Sequence, residues 1–150
     1  MRPAAAVALT CIGLFASGCG GSSSGDQESQ WIGDVSDLVV DFAASDHQYS
    51  QAVLAAQSPQ QIAEANAAYA AALGQLEAKV KATDPPAQCK QFERSLIAVY
   101  ENLRGTATRL STPEAVDTRD ELLQGDQDFA AAKREGTKAL SGSVVSQAHC

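Results

Sequence analysis

The chain has 150 residues and a formal charge of −7, with 19% charged and 5% aromatic residues. That length suits one modest domain rather than two. An acidic chain without a basic cluster lacks the Lys/Arg surface that nucleic acids require, and has no charge-based reason to lie on anionic lipid.

Met1 and Arg2 give a short positive start, followed by an apolar run, Ala4 to Ala16, that includes Val7, Leu9, Ile12, Leu14 and Phe15. The run is long enough for the core of an export signal but shorter than the roughly 20 residues of a membrane-spanning helix. Ala16, Ser17 and Gly18 then lead into Cys19. Ala16-Ser17-Gly18-Cys19 resembles the lipobox of bacterial lipoproteins, where small residues precede a cysteine that becomes the acylated N-terminus. The leucine usual three residues before that cysteine is replaced by Ala16, with Leu14 and Phe15 just upstream. The resemblance implies cleavage before Cys19, a diacylglyceryl group on its sulfur and an extracytoplasmic, membrane-anchored protein. Two or more acyl chains hold a protein on a bilayer durably, whereas one does not.

The sequence therefore divides into a signal at 1–18, a lipidated N-terminus with tether at 19–30, and a folded domain at 31–150. Gly20 to Gly25 reads Gly-Gly-Ser-Ser-Ser-Gly and Asp26 to Gln30 is polar. As a flexible coil, this stretch would span about 18 Å. Removing the signal takes Arg2 with it and moves the charge from −7 to −8. Cys11 leaves with the signal and Cys19 carries lipid, so Cys89 and Cys150 remain as an even pair. In an oxidising compartment such a pair predicts a disulfide.

Trp31, Val35, Leu38, Phe42, Tyr49 and Val53 recur at helical spacing, with a gap at Asp46. Ser58-Pro59 with Gln61 forms a capping box with proline at the first helical position. A second stripe follows at Ile62, Ala65, Tyr69, Leu73, Leu76 and Val80; alanine fills seven of the ten positions 63–72, which favours helix. Pro85 and Pro86 separate it from a third stripe at Cys89, Phe92, Leu96, Val99, Leu103, Ala107 and Leu110. Beyond Pro113, Val116, Leu122, Leu123, Phe129, Ala132 and Leu140 allow a fourth helix, weakened by Gly125, Gly136 and Gly142.

Amphipathic helices joined by short turns predict an all-α, antiparallel up-down four-helix bundle. In that topology Cys89, opening helix three, lies near Cys150, closing helix four. The last segment is longer than its partner helix, so it must contain a break, a lead-in loop or a returning tail. Gly125 and Ser141-Gly142-Ser143 are the candidate breaks.

Chemistry is sparse. Gly21-Ser22-Ser23-Ser24-Gly25 matches the serine-hydrolase elbow in letters, but no strand precedes it to present a strained serine. Asp46, His47 and Tyr49 form the most suggestive cluster, able to offer imidazole or phenol to haem or a metal; His47 equally suits the surface, with Tyr49 packing inside. Asn66 with Asp46 suits either a polar pocket between helices or solvent. His149 stands near the chain end. Asp117, Asp120, Glu121, Asp126 and Asp128 lack the ordered spacing and closing glutamate of a calcium loop. Trp31 fits a core contact or a membrane interface.

These patterns predict no enzyme, no resident metal and no cofactor. They predict a lipid-anchored binding or interaction module whose partner is an envelope protein or small ligand. The alternative is a carrier of haem or another hydrophobic molecule between the helices, with Asp46, His47, Tyr49 and Asn66 lining its site.

Overall fold

The computed structural model describes residues 23–117 and 119–146. Cys11, Cys19, His149 and Cys150 lie outside them. Four long helices make up the structure: α1 (Ser23–Ala55), α2 (Pro59–Lys81), α3 (Lys90–Arg109) and α4 (Arg119–Ser146). Short 3-10 turns at Ala87–Cys89 and Glu114–Val116 precede α3 and α4. The described residues contain no strand.

Local chemistry sets the helix limits. Ser58 is extended (φ −151°, ψ 155°) and its hydroxyl accepts from the Gln61 backbone N–H at 3.3 Å. Gln61 returns the favour one residue further out, where its Oε1 accepts from the Gln57 N–H at 2.6 Å. These bonds occupy donors that a helix start leaves open, and Pro59 loses nothing by lacking one. Lys79 and Lys81 close α2, where cations favour the negative end of the helix dipole. The two prolines that follow cannot continue it.

α2 packs against α1 on one side and α3 on the other, and α3 packs against α4, giving a helical bundle around one core. Leu73, Val80, Cys89, Leu103 and Ala107 are wholly buried there. Trp31 belongs to the core. Its indole N–H donates to Thr83 Oγ1 at 3.0 Å, and its ring meets Phe92 edge-on at 6.1 Å. Burial of the indole body with its single donor satisfied is the favourable arrangement for tryptophan.

One expectation changes and another is narrowed. The stretch read as tether is already helical from Ser23, well before Trp31. Asp26 lies in its first turn, where negative charge is favoured, and Glu28 accepts from Gln88 Nε2 at 3.1 Å. A packed helix starting at Trp31 thus extends backward through residues that alone would be coil.

Of the three expected ways to absorb the length of the last segment, the described residues show a lead-in loop and no break: α4 runs through Gly125, Gly136 and Gly142. Part of the surplus lies before the helix, in the loop and turn around Val116, which is buried, and part in α4 itself, with 28 residues against 20 in α3. Gly125 and Gly136 are points of close approach instead. A Cβ on Gly125 would stand 2.6 Å from Leu110 Cδ1, and one on Gly136 2.5 Å from Val99 Cγ2.

Candidate functional site

Three helices converge on Asp46. On α1, Asp46 and Tyr49 are three residues apart; on α2, so are Asn66 and Tyr69; on α4, Phe129 and Lys133 are four apart. Each spacing puts both side chains on one helix face. The Tyr69 hydroxyl donates to Asp46 Oδ1 at 2.9 Å, and Lys133 Nζ donates to the same oxygen at 2.6 Å. The Tyr49 hydroxyl donates to Asn66 Oδ1 at 3.1 Å, while Asn66 Nδ2 donates to the Ile62 carbonyl at 2.9 Å. Asn66 is almost completely buried, and these two bonds give both ends of its amide a partner.

The rings complete the cluster. Tyr49 and Tyr69 stack with centroids 4.4 Å apart and planes 14° from parallel. Phe129 of α4 lies 5.5 Å from Tyr49 and 6.1 Å from Tyr69, tilted to both. Burial pushes both phenols well above their ordinary range, and the nearby Asp46 carboxylate adds to this in each case. Asp126 raises Tyr49 further. Both phenols therefore stay protonated at neutral pH. They act as hydrogen-bond donors, Tyr69 to Asp46 and Tyr49 to Asn66.

Of the four residues singled out in the sequence, Asp46, Tyr49 and Asn66 come together. His47 does not: one residue on, it turns about 100° around α1 and is exposed. Beside Tyr49, the rings of Tyr69 and Phe129 pack at 4.4 Å and 5.5 Å. Sequence reasoning placed Tyr69 and Phe129 in core stripes and passed over Lys133. The gap at Asp46 was the signal for this cluster, but its meaning depended on donors from two other helices.

A second polar group was not foreseen. Glu77 of α2 is buried, with Lys81 Nζ 2.5 Å from its Oε1 and Arg104 of α3 3.2 Å from its Oε2. Lys81 also reaches Glu101 at 3.0 Å. The hydrogen bond from Lys81 holds the Glu77 carboxyl below the usual carboxylate range; burial opposes this and the Arg104 charge reinforces it. This is a charged tie between α2 and α3. The acidic stretch of α4 is divided in its roles. Asp128 pairs with Arg109 of α3, whereas burial raises the Asp126 carboxyl. Among the described residues, no group of three His, Cys, Asp or Glu side chains is arranged to hold a metal ion.

Outside the core, an open groove of about 270 Å³ follows the seam between α1 and α2. Asp41, Ser45 and Gln48 edge it from α1, and Gln75 and Lys79 from α2, with Lys79 Nζ 3.2 Å from Asp41 Oδ2 across it. Short Ala44 and Ala72 side chains leave the room. None of the described helices is long and apolar enough to cross a membrane. No protein-family model, curated protein or solved structure matches the chain.

Proposed function

We propose that this protein is an extracytoplasmic lipoprotein, anchored through acylated Cys19, whose helical domain serves as a binding or interaction module. The observation that carries the reading is how Asp46, Tyr49, Asn66, Tyr69 and Lys133 spend their polar groups on one another. Such a network fixes three helices and leaves the outer faces, including the α1/α2 groove, as the surface available to a partner. The lipobox-like Ala16-Ser17-Gly18-Cys19 supports the anchor.

The domain is proposed to be an antiparallel up-down bundle closed by a Cys89–Cys150 disulfide. Contacts between α3 and α4 support this arrangement: Leu110 near the end of α3 lies against Gly125 early in α4, and Val99 lies against Gly136. Continued in that sense, the start of α3 is opposite the end of α4. Cys89 is wholly buried there.

The test compares wild type with Cys19→Ala in membrane fractions, and places photo-crosslinking side chains at Gln48 and Gln75, with Gln127 as the control face. The reading expects loss of membrane retention in Cys19→Ala and a discrete adduct from the groove positions alone. Equal retention would remove the anchor, and equal adducts from groove and control faces would remove the binding surface.

A further inference from the structure

We propose that the outer face of α1 pairs with the same face of a second copy of this chain, the two helices running antiparallel. The seam consists of Ser36, Val40, Ala43, His47, Ser50 and Leu54, all of them exposed. Their spacing alternates four and three, the heptad repeat that keeps one helix stripe against another. The stripe lies opposite the side of α1 on which Trp31, Val35 and Leu38 enter the core. Val40 and Leu54 are 58% and 71% exposed, two of the three large hydrophobic side chains so placed among the described residues.

Polar groups do not obstruct this seam. Across Ser23–Ala55, α1 carries Asp26, Glu28, Asp34, Asp37, Asp41 and Asp46 and no lysine or arginine, and all six carboxylates avoid the stripe. A serine buried in an interface ordinarily needs a partner for its hydroxyl. Here the Ser36 hydroxyl donates to the Ile32 carbonyl at 2.7 Å, and the Ser50 hydroxyl to the Asp46 carbonyl at 2.9 Å. Both donors are satisfied within α1, so both serines act as small side chains.

Side-chain size sets the direction. One heptad position holds the larger Val40, His47 and Leu54, and the other holds the small Ser36, Ala43 and Ser50. A parallel pair would stack each residue on its own counterpart, large on large and small on small. In an antiparallel pair Val40 faces the partner's Ser50, Ala43 the partner's His47, and Leu54 the partner's Ser36. Every layer then sets one large side chain against one small, which close packing favours.

Charge selects the same direction. All the carboxylates of α1 precede residue 47, and 47–55 carry none. The antiparallel register lays Asp34, Asp37 and Asp41 beside 49–56 of the partner, an uncharged stretch, and opposes the two helix dipoles. Parallel pairing would align the acidic halves. Asp46 alone comes level with its own counterpart, and each copy brings Lys133 already paired to it. His47 is the one polar ring in the seam, and a polar group there fixes register at a cost in affinity. Six seam residues a side are few beside the roughly 20–30 of a standard interface, so the pairing depends on concentration.

This pairing requires neither lipid on Cys19 nor a ligand in the α1/α2 groove. The full-length protein in mild detergent is followed by sedimentation from micromolar to millimolar concentration. Wild type should pass from one chain to two. Val40→Glu, Leu54→Glu should associate more weakly by roughly tenfold or more, with unchanged helix content because both side chains are exposed. A photo-crosslinking side chain at Ser50 reads the direction, and its adduct should map to the partner's Val40. A wild type that stays single throughout the range, or a double variant that associates equally well, overturns the seam. An adduct between the two Ser50 positions overturns the antiparallel order. An adduct to a different protein, with none to a second copy, overturns the occupant.

Discussion

At Asp46 two donors from different helices meet on one carboxylate oxygen, Tyr69 from α2 and Lys133 from α4. Removing the acceptor leaves both donors to find other partners in a half-buried site. Asp46→Ala should therefore cost about 1–3 kcal/mol in urea unfolding, and Tyr69→Phe about 1 kcal/mol, because the latter keeps the stacked ring. His47→Ala, at an exposed position, should change stability by less than about 0.5 kcal/mol. Glu77 governs a different response. Its carboxyl is held below the ordinary value of 4.5 by Lys81 and Arg104. A lowered folded-state value means that the stabilisation is complete above the unfolded value and disappears as pH falls through the folded one. Wild type should thus lose stability progressively below about pH 4.5, and Glu77→Gln should lose less over that window. An unfolding series in urea at stepped pH would reveal the difference, and parallel curves would exclude Glu77 as its source.

Helices are where periodicity was informative. The stripes through Trp31, Val35 and Leu38, through Tyr69, Leu73, Leu76 and Val80, and through Leu96, Val99 and Leu103 are the buried faces. The Ser58–Gln61 cap was equally readable, since its bonds are local. Glycine was misleading for a physical reason. Gly136 costs α4 helix propensity, a local debit of up to about 1 kcal/mol. Its benefit is the close approach of Val99, which no property of α4 alone reveals. Likewise Asp46 and Glu77 look like solvent residues until Lys133 of α4 and Arg104 of α3 reach them. Gly136→Ala should accordingly destabilise by about 1–3 kcal/mol, because the stiff β-branched Val99 has little room to yield. Gly105→Ala, with nothing within 4 Å of the added carbon, should stabilise by about 0.5–1 kcal/mol. Thermal midpoints of the two variants must move in opposite directions.

For the whole molecule, location, fold and work separate cleanly. The lipobox-like residues bear on the proposed location, and the stripes and caps on the fold. A covalent staple would add to what this core supplies. In the chain-entropy picture, a Cys89–Cys150 bridge closing a loop of about 60 residues contributes about 4 kcal/mol. The reduced protein should gain the mass of two hydrogens and unfold at clearly lower urea; an unchanged mass on reduction would remove the bridge. The proposed location depends on what happens at one sulfur. The intact mass of the protein extracted from membranes is the most direct test. The account predicts a polypeptide beginning at Cys19 and heavier than Cys19–Cys150 by a diacylglyceryl group, with or without a further acyl chain. A chain of unmodified mass, or one beginning at any other residue, would contradict it.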